Sequence, residues 1–153
     1  MLNKENDPEK FMRAALRRAE SAARRDEVPV GAVIVKDGKI IAAAANKKEQ
    51  NGDATAHAEM LALKKAQKAL GDWRLNECEI YVTLEPCAMC AGALINCRIG
   101  MIYFGAPDAR FGCCGSIMNI PADTRFNHRC EIIGGVLEKE CSAVLTEFFK
   151  AKR

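Results

Sequence analysis

The stretch TLEPCAMCAG, residues 83–92, constrains this chain more than any other. The run EIYVTL (79–84) leading into it combines β-branched and aromatic residues and predicts a strand. Proline suits the first helical position, so Pro86 predicts a helix start, with the helix running to about Cys97. Cys87 and Cys90 then fall in one turn, three residues apart and on one face. The free N–H groups and positive end of a helix favour thiolate over thiol, and thiolate is the form that binds metal. A structural zinc site takes four protein ligands, and this stretch supplies two. Either the pair does redox chemistry, or further ligands lie elsewhere in the chain, or one coordination position is left open.

The remaining segments supply a frame for that junction. Asp7-Pro8 reads as an N-cap and first helical residue. Phe11, Met12, Ala15, Leu16, Ala19 and Ala22 then recur at helical spacing, predicting a helix over 8–25. VGAVIVK (30–36) and KIIAAAA (39–45) flank Asp37-Gly38, a two-residue hairpin turn. The polar segment 46–55 predicts a loop, with Asp53 or Thr55 capping a helix over about 56–69. GMIYFG (100–105) reads as a strand, 106–127 as irregular, CEIIGGV (130–136) as a short strand or bend, and 139–152 as a final amphipathic helix. This alternation predicts one α/β domain, residues 1–153, with helices layered on a mixed sheet.

Composition narrows the chemistry. Eight cysteines in 153 residues would signal a disulfide framework in an exported protein, but MLNKENDPEK lacks the apolar core of a signal peptide. The longest apolar run, Ile40–Ala45, is far below the ~18 residues that span a bilayer. The expectation is a cytoplasmic, non-membrane protein with reduced thiols and a metal site. A net charge of +3 permits an anionic partner without requiring one. The arginines of the first helix read as a solvated face.

The chain has two histidines, His57 and His128. His57 stands in ATAHAEM, at a predicted loop-to-helix boundary, and imidazole is a usual zinc ligand beside two thiolates. Three protein ligands leave a position for water, the arrangement of a catalytic rather than a structural site. Glu59 can then shuttle protons for that water. Residues i and i+2 do not share a face of a regular helix, so His57 and Glu59 converge only if the site sits at the helix tip. H-x-E followed by P-C-x-x-C, with thirty positions from His57 to Cys87, is the established signature of the zinc nucleobase deaminases, adenine-acting members included. A thioredoxin-type redox pair lacks its own element order here.

The chain resembles the bacterial tRNA-specific adenosine deaminases of the cytidine/deoxycytidylate deaminase superfamily. The resemblance rests on EVPVGAVIV (27–35), Asn46, DATAHAEM (53–60), YVTLEPCAMCAGALI (81–95), RIG (98–100), FGAPDAR (104–110), NHR (127–129) and ECSAVLTEFF (140–149). It implies a cytidine-deaminase-like three-layer α/β/α sandwich around a mixed sheet of about five strands. It implies conversion of the wobble adenosine of a tRNA anticodon to inosine, with release of ammonia. Zn2+, one per subunit, would be held by His57, Cys87 and Cys90, with Glu59 as proton donor and acceptor. Substrate contacts would come from Val28, Pro29, Asn46, Ala58, Leu84 and Asp108, with Leu84 and Glu85 offering backbone to the base. The tRNA anticodon stem-loop would be the partner, and the family acts as a homodimer. Phe148 and Phe149 would stack on loop bases, although core packing accounts equally well for one of them, and the basic tail would meet phosphates.

Cys113 and Cys114 depart from the small residues usual in the family and read as small fillers; His128 reads as structural. The H-x-E/P-C-x-x-C core serves the reaction, not the substrate, so a deaminase of free guanine, cytosine or a nucleotide stays open on the core alone. The flanking matches favour tRNA. A non-catalytic RNA-binding relative could dispense with Glu59, so its presence favours catalysis.

Overall fold

The computed structural model describes residues 7–152. The first helix, α1 (Pro8–Arg24), is capped as its sequence predicts: Asp7 Oδ1 accepts the N–H of Glu9, and Pro8 opens the first turn. A hairpin follows, β1 (Gly31–Lys36) and β2 (Lys39–Ala45). Its turn residues Asp37 and Gly38 both have positive φ, 51° and 73°, as a tight turn matched to strand twist demands. The chain continues through α2 (Lys48–Asn51), α3 (Ala58–Leu70), β3 (Cys78–Leu84), α4 (Ala88–Asn96), β4 (Met101–Ala106), β5 (Glu131–Ile133) and α5 (Glu138–Ala151).

The five strands form one mixed sheet in the order β2-β1-β3-β4-β5. β1 is antiparallel to both neighbours, while β3, β4 and β5 run parallel. The middle strands are buried on both faces, so their side chains sort by alternation. Ala32, Ile34, Ile80, Val82, Ile102 and Phe104 pack beneath α3 and α4. Val33, Val35, Tyr81, Met101 and Tyr103 pack beneath α1 and α5. These are the three layers expected from the sequence. Two glycines let the second helical layer close: a Cβ on Gly31 would lie 2.0 Å from the Ala15 carbonyl oxygen, and one on Gly105 would lie 2.3 Å from Cys141 Sγ. No helix among the described residues is long and apolar enough to cross a membrane.

Strand direction decides where a site can form. β3 and β4 end at the sheet edge where antiparallel β1 begins, and β2 ends there too, with Ala45 opposite Gly31. Val28–Val30, Asn46, Leu84–Cys87 and Pro107–Phe111 are therefore gathered along one edge. Crevices of this kind, beyond the carboxyl ends of strands in an open α/β sheet, are where such folds bind ligands.

Three local expectations need correction. Helix α3 starts at Ala58, and neither Asp53 nor Thr55 caps it: Asp53 Oδ1 is taken by the Thr55 N–H and hydroxyl, both at 2.8 Å. Pro86 lies outside both β3, which ends at Leu84, and α4, whose N-cap is Cys87. Segment 46–55 holds the one-turn α2, because the buried Glu27 carboxylate accepts the N–H groups of Glu49 (2.9 Å) and Gln50 (2.6 Å) from more than twenty residues away.

Candidate active site and metal centre

The N-termini of α3 and α4 point at one spot, and their N-cap residues are His57 and Cys87. Neither side chain caps its own helix. His57 Nδ1 instead lies 3.6 Å from Cys87 Sγ and 3.5 Å from Cys90 Sγ. An ion about 2.3 Å from sulfur and about 2.0 Å from imidazole nitrogen, in tetrahedral geometry, requires N···S separations of about 3.5 Å. The donor set and its spacing thus fit a tetrahedral metal, and these residues form a group that can hold one. The Cys90 thiol hydrogen-bonds the Cys87 sulfur, and with His57 nearby this holds Cys87 down to about 3 and pushes Cys90 up. The two sulfurs share a proton that a bound dication would displace.

Glu59 joins this group because the chain is extended at His57 (φ −73°, ψ 150°) and helical from Ala58. The site sits at the helix tip, where neighbours two apart do converge. Glu59 is 4% exposed, and burial raises its carboxyl above the ordinary range, against the opposing pull of its backbone hydrogen bond and the His57 charge. A carboxyl poised this way exchanges protons more readily near neutrality than an exposed one.

His57, Glu59 and Cys87 line a cavity of about 750 Å³, with Cys90 buried behind its wall. Val28, Asn46, Ala58, Leu84, Asp108 and Phe149 line it as well. Pro29 is buried and does not reach the wall, and neither does Phe148, which packs edge-on against Phe149 at 5.3 Å. The Asn46 amide donates to the Val28 carbonyl (3.3 Å), but its Oδ1 is buried with no hydrogen-bond partner among the described residues. An orphaned acceptor at a cavity wall is a place for a ligand's donor. One oxygen of the Asp108 carboxylate is engaged within the loop: Oδ1 accepts the N–H groups of Arg110 (3.0 Å) and Phe111 (3.1 Å). The Glu85 N–H is likewise spent, on the Ala106 carbonyl at 2.8 Å, so it has no N–H to offer a base.

The sequence reading missed Lys48, Arg110, Phe111 and Leu145 on the same cavity. Phe111 is 66% exposed, an unusual position for an aromatic ring, and only its place on the loop gives it away. In the basic tail, Lys152 pairs with Asp26 and sits over the Phe148 ring. Arg153 lies outside the described residues. His128 Nε2 meets the Ile99 carbonyl oxygen at 2.7 Å, a structural tie as expected. All eight cysteines are free, and Cys113 and Cys114 are buried core residues.

A family model for MafB19-like deaminases matches residues 6–153. The chain belongs to that family. This deaminase is 48% identical over 145 residues to a tRNA-specific adenosine deaminase of Bacillus subtilis (strain 168), a match covering 95% of this chain and 90% of the relative. It superposes with a TM-score of 0.86, at 42% identity, on a solved structure from studies of A-to-I editing by tRNA:A34 deaminases at the wobble position. That match covers 89% of this chain and 99% of the other. A guanine deaminase from Nitrosomonas europaea shares the fold more distantly, at 26% identity and a TM-score of 0.82 over 94% of this chain and 85% of that one. The resemblance read from the sequence motifs is borne out, and so is the three-layer fold with its five-stranded mixed sheet.

Proposed function

We propose that this protein hydrolyses the wobble adenosine of a tRNA anticodon to inosine, releasing ammonia, as a zinc-dependent homodimer in the cytoplasm. One observation carries the reading: a buried Glu59 with a raised pKa lies beside a metal-competent His57–Cys87–Cys90 group, and Glu59, His57 and Cys87 line a cavity large enough for a flipped nucleotide. Zinc held by these three residues would lower the pKa of a bound water to about 7 and supply Lewis acidity. The remaining work falls to the chain's own side chains.

Glu59 takes the proton from the attacking water and delivers it to N1 of adenine, which makes C6 more electrophilic. It then takes the remaining proton from the hydroxyl added at C6 and passes it to the departing amine, so the C6–N6 bond breaks, ammonia leaves and the oxygen stays on C6 as the carbonyl. Val28, Ala58 and Leu84 clasp the base by apolar contact, and Pro29 is the buried neighbour of Val28 in the chain. The free Oδ1 of Asn46 accepts a hydrogen bond from the ribose or the base. Asp108 acts through the loop it pins, and that loop offers Arg110 and Phe111 to the RNA. Phe149 adds a stacking surface across the cavity, with Phe148 buttressing it. A base in an anticodon loop leaves its stack more cheaply than one in a duplex.

The test is an anticodon stem-loop with adenosine at the wobble position, assayed for inosine, with free guanine as the competing substrate. The fold shared with a guanine deaminase makes that arm necessary. Turnover of guanine with none of the stem-loop would overturn the proposal. Light scattering at twice the monomer mass supports the dimer, and a monomeric mass refutes it.

A further inference from the structure

Glu85 stands between Leu84, the last residue of β3, and Pro86, two residues before the ligand Cys87. It is 3% exposed, and a buried carboxylate is stable only when its lone pairs are filled. Oε1 accepts the Asp108 N–H at 3.0 Å and the Ser116 hydroxyl. Oε2 accepts the Cys114 and Ser116 N–H groups, both at 3.0 Å. The loop closes tightly over this group: a Cβ on Gly112 would lie 2.4 Å from the Glu85 carboxyl carbon.

The bonds continue outward from there. Asp108 holds the N–H groups of Arg110 and Phe111 on its side chain, and its carbonyl accepts the Gly112 N–H at 2.9 Å. The Cys113 N–H returns to the Pro86 carbonyl at 2.8 Å. Residues 107–112 belong to no helix or strand, yet Pro107–Phe111 make one wall of the cavity. Their shape is set by two linked carboxylates: Asp108 gathers the N–H groups of Arg110 and Phe111, and Glu85 holds the Asp108 N–H.

We propose that Glu85 is a positioning residue. Its carboxylate is the template on which the segment 107–116 folds, the cavity wall Pro107–Phe111 included, and it ties that segment to the one carrying Cys87. Four donors converge on it, so the position needs a group that only accepts. Glutamine keeps the shape but aims its own N–H groups at donors, and the loop opens. The naming of the RNA substrate rests on the function proposed above; the folding of the loop does not.

The experiment compares Glu85→Gln and the milder Ser116→Ala with the unaltered protein. Three quantities are read: steady-state kinetics on the wobble-adenosine stem-loop, zinc content, and trypsin cleavage after the exposed Arg110. For Glu85→Gln we expect KM to rise about tenfold or more while kcat stays within about threefold, since the wall orients RNA and the proton path through Glu59 is untouched. Zinc stays at about one per chain. Cleavage at Arg110 accelerates about tenfold or more as the loop opens. Ser116→Ala moves KM and cleavage the same way by less. A fall in kcat at constant KM, loss of zinc, or unchanged KM and cleavage would each overturn the proposal. If Glu85→Gln does not fold, Ser116→Ala decides alone: a shift in both readouts upholds the proposal and no shift in either refutes it. If the unaltered protein does not turn over the stem-loop, the assigned substrate is wrong, and Arg110 cleavage still decides the role of Glu85.

Discussion

Asn46→Leu separates a binding residue from a structural one, because the structure demands opposite signs for its two effects. Leucine copies the shape of asparagine and removes both polar ends. In the free protein the loss is the bond from Nδ2 to the Val28 carbonyl, long at 3.3 Å and worth about 1 kcal/mol. The gain is relief of the buried, unpartnered Oδ1, whose desolvation costs about 1–3 kcal/mol. The net is about 0–2 kcal/mol of stabilisation, read as an unchanged or higher urea midpoint at constant m. Substrate binding moves the other way. A donor on the nucleoside that met Oδ1 is now buried against a methyl group, which costs about 1–3 kcal/mol, or about 5- to 150-fold in kcat/KM. A variant that loses stability and activity together would show that Asn46 is a framework residue. Unchanged kcat/KM would show that the orphaned oxygen faces no substrate.

The other expected outcomes follow from single contacts. Glu59→Ala keeps the fold and about one zinc per chain but loses about 10²–10⁴ in kcat, by metal analysis and inosine assay; full activity would end the proposed role. Cys87→Ser abolishes stoichiometric zinc, and retained metal would remove Cys87 from the ligand set. Gly105→Ala drives a methyl group against Cys141 Sγ and the Thr83 carbonyl, costing about 1–3 kcal/mol in a urea melt, and Cys141→Ala in the same chain recovers part of that. Burial, reinforced by Glu79, raises both Tyr81 and Tyr103, with Tyr81 hydrogen-bonded to the Glu79 carboxylate at 3.3 Å. A raised folded pKa means their contribution to stability is intact below the unfolded value of about 10 and is lost as pH climbs past it. Absorbance at 295 nm should therefore show tyrosinate only as the protein unfolds in alkali, and titration of the native fold at pH 10 would contradict this burial.

How much was legible in the sequence depended on whether the cause was local. The hairpin, α1 and the strands came through because their signals lie within a few residues: Asp37-Gly38, the Asp7-Pro8 cap, and β-branched runs. The ligand set was legible because spacing and residue type together are specific. Helix α2 was not, because its cap is a carboxylate twenty-two residues upstream. The irregular segment after β4 was recognised only as irregular. Its shape depends on Glu85, which from the sequence looked like a backbone contact for the base, and nothing local announces four donors arriving from residues 108–116. Phe111 escaped for the same reason, since its exposure is a property of that loop.

The caps carry a further lesson about where chemistry lies in the chain. Helix α1 serves packing and spends Asp7 on its own N-terminus. Helices α3 and α4 have His57 and Cys87 as N-cap residues, and neither side chain returns a hydrogen bond to its helix. A missing cap is not diagnostic by itself, since α5 begins at Leu137 with no side-chain cap either. What distinguishes α3 and α4 is that both uncapped ends direct their N-cap side chains to one point, 3.6 Å apart, with Cys90 of the first α4 turn joining them. Two helix N-termini facing each other would repel, each carrying about half a positive charge. The Cys87 thiolate held between them offsets that repulsion, and the caps forgone at each end are replaced by the same group of atoms. A local rule is thus broken twice, at positions thirty residues apart, and a single cluster accounts for both breaks.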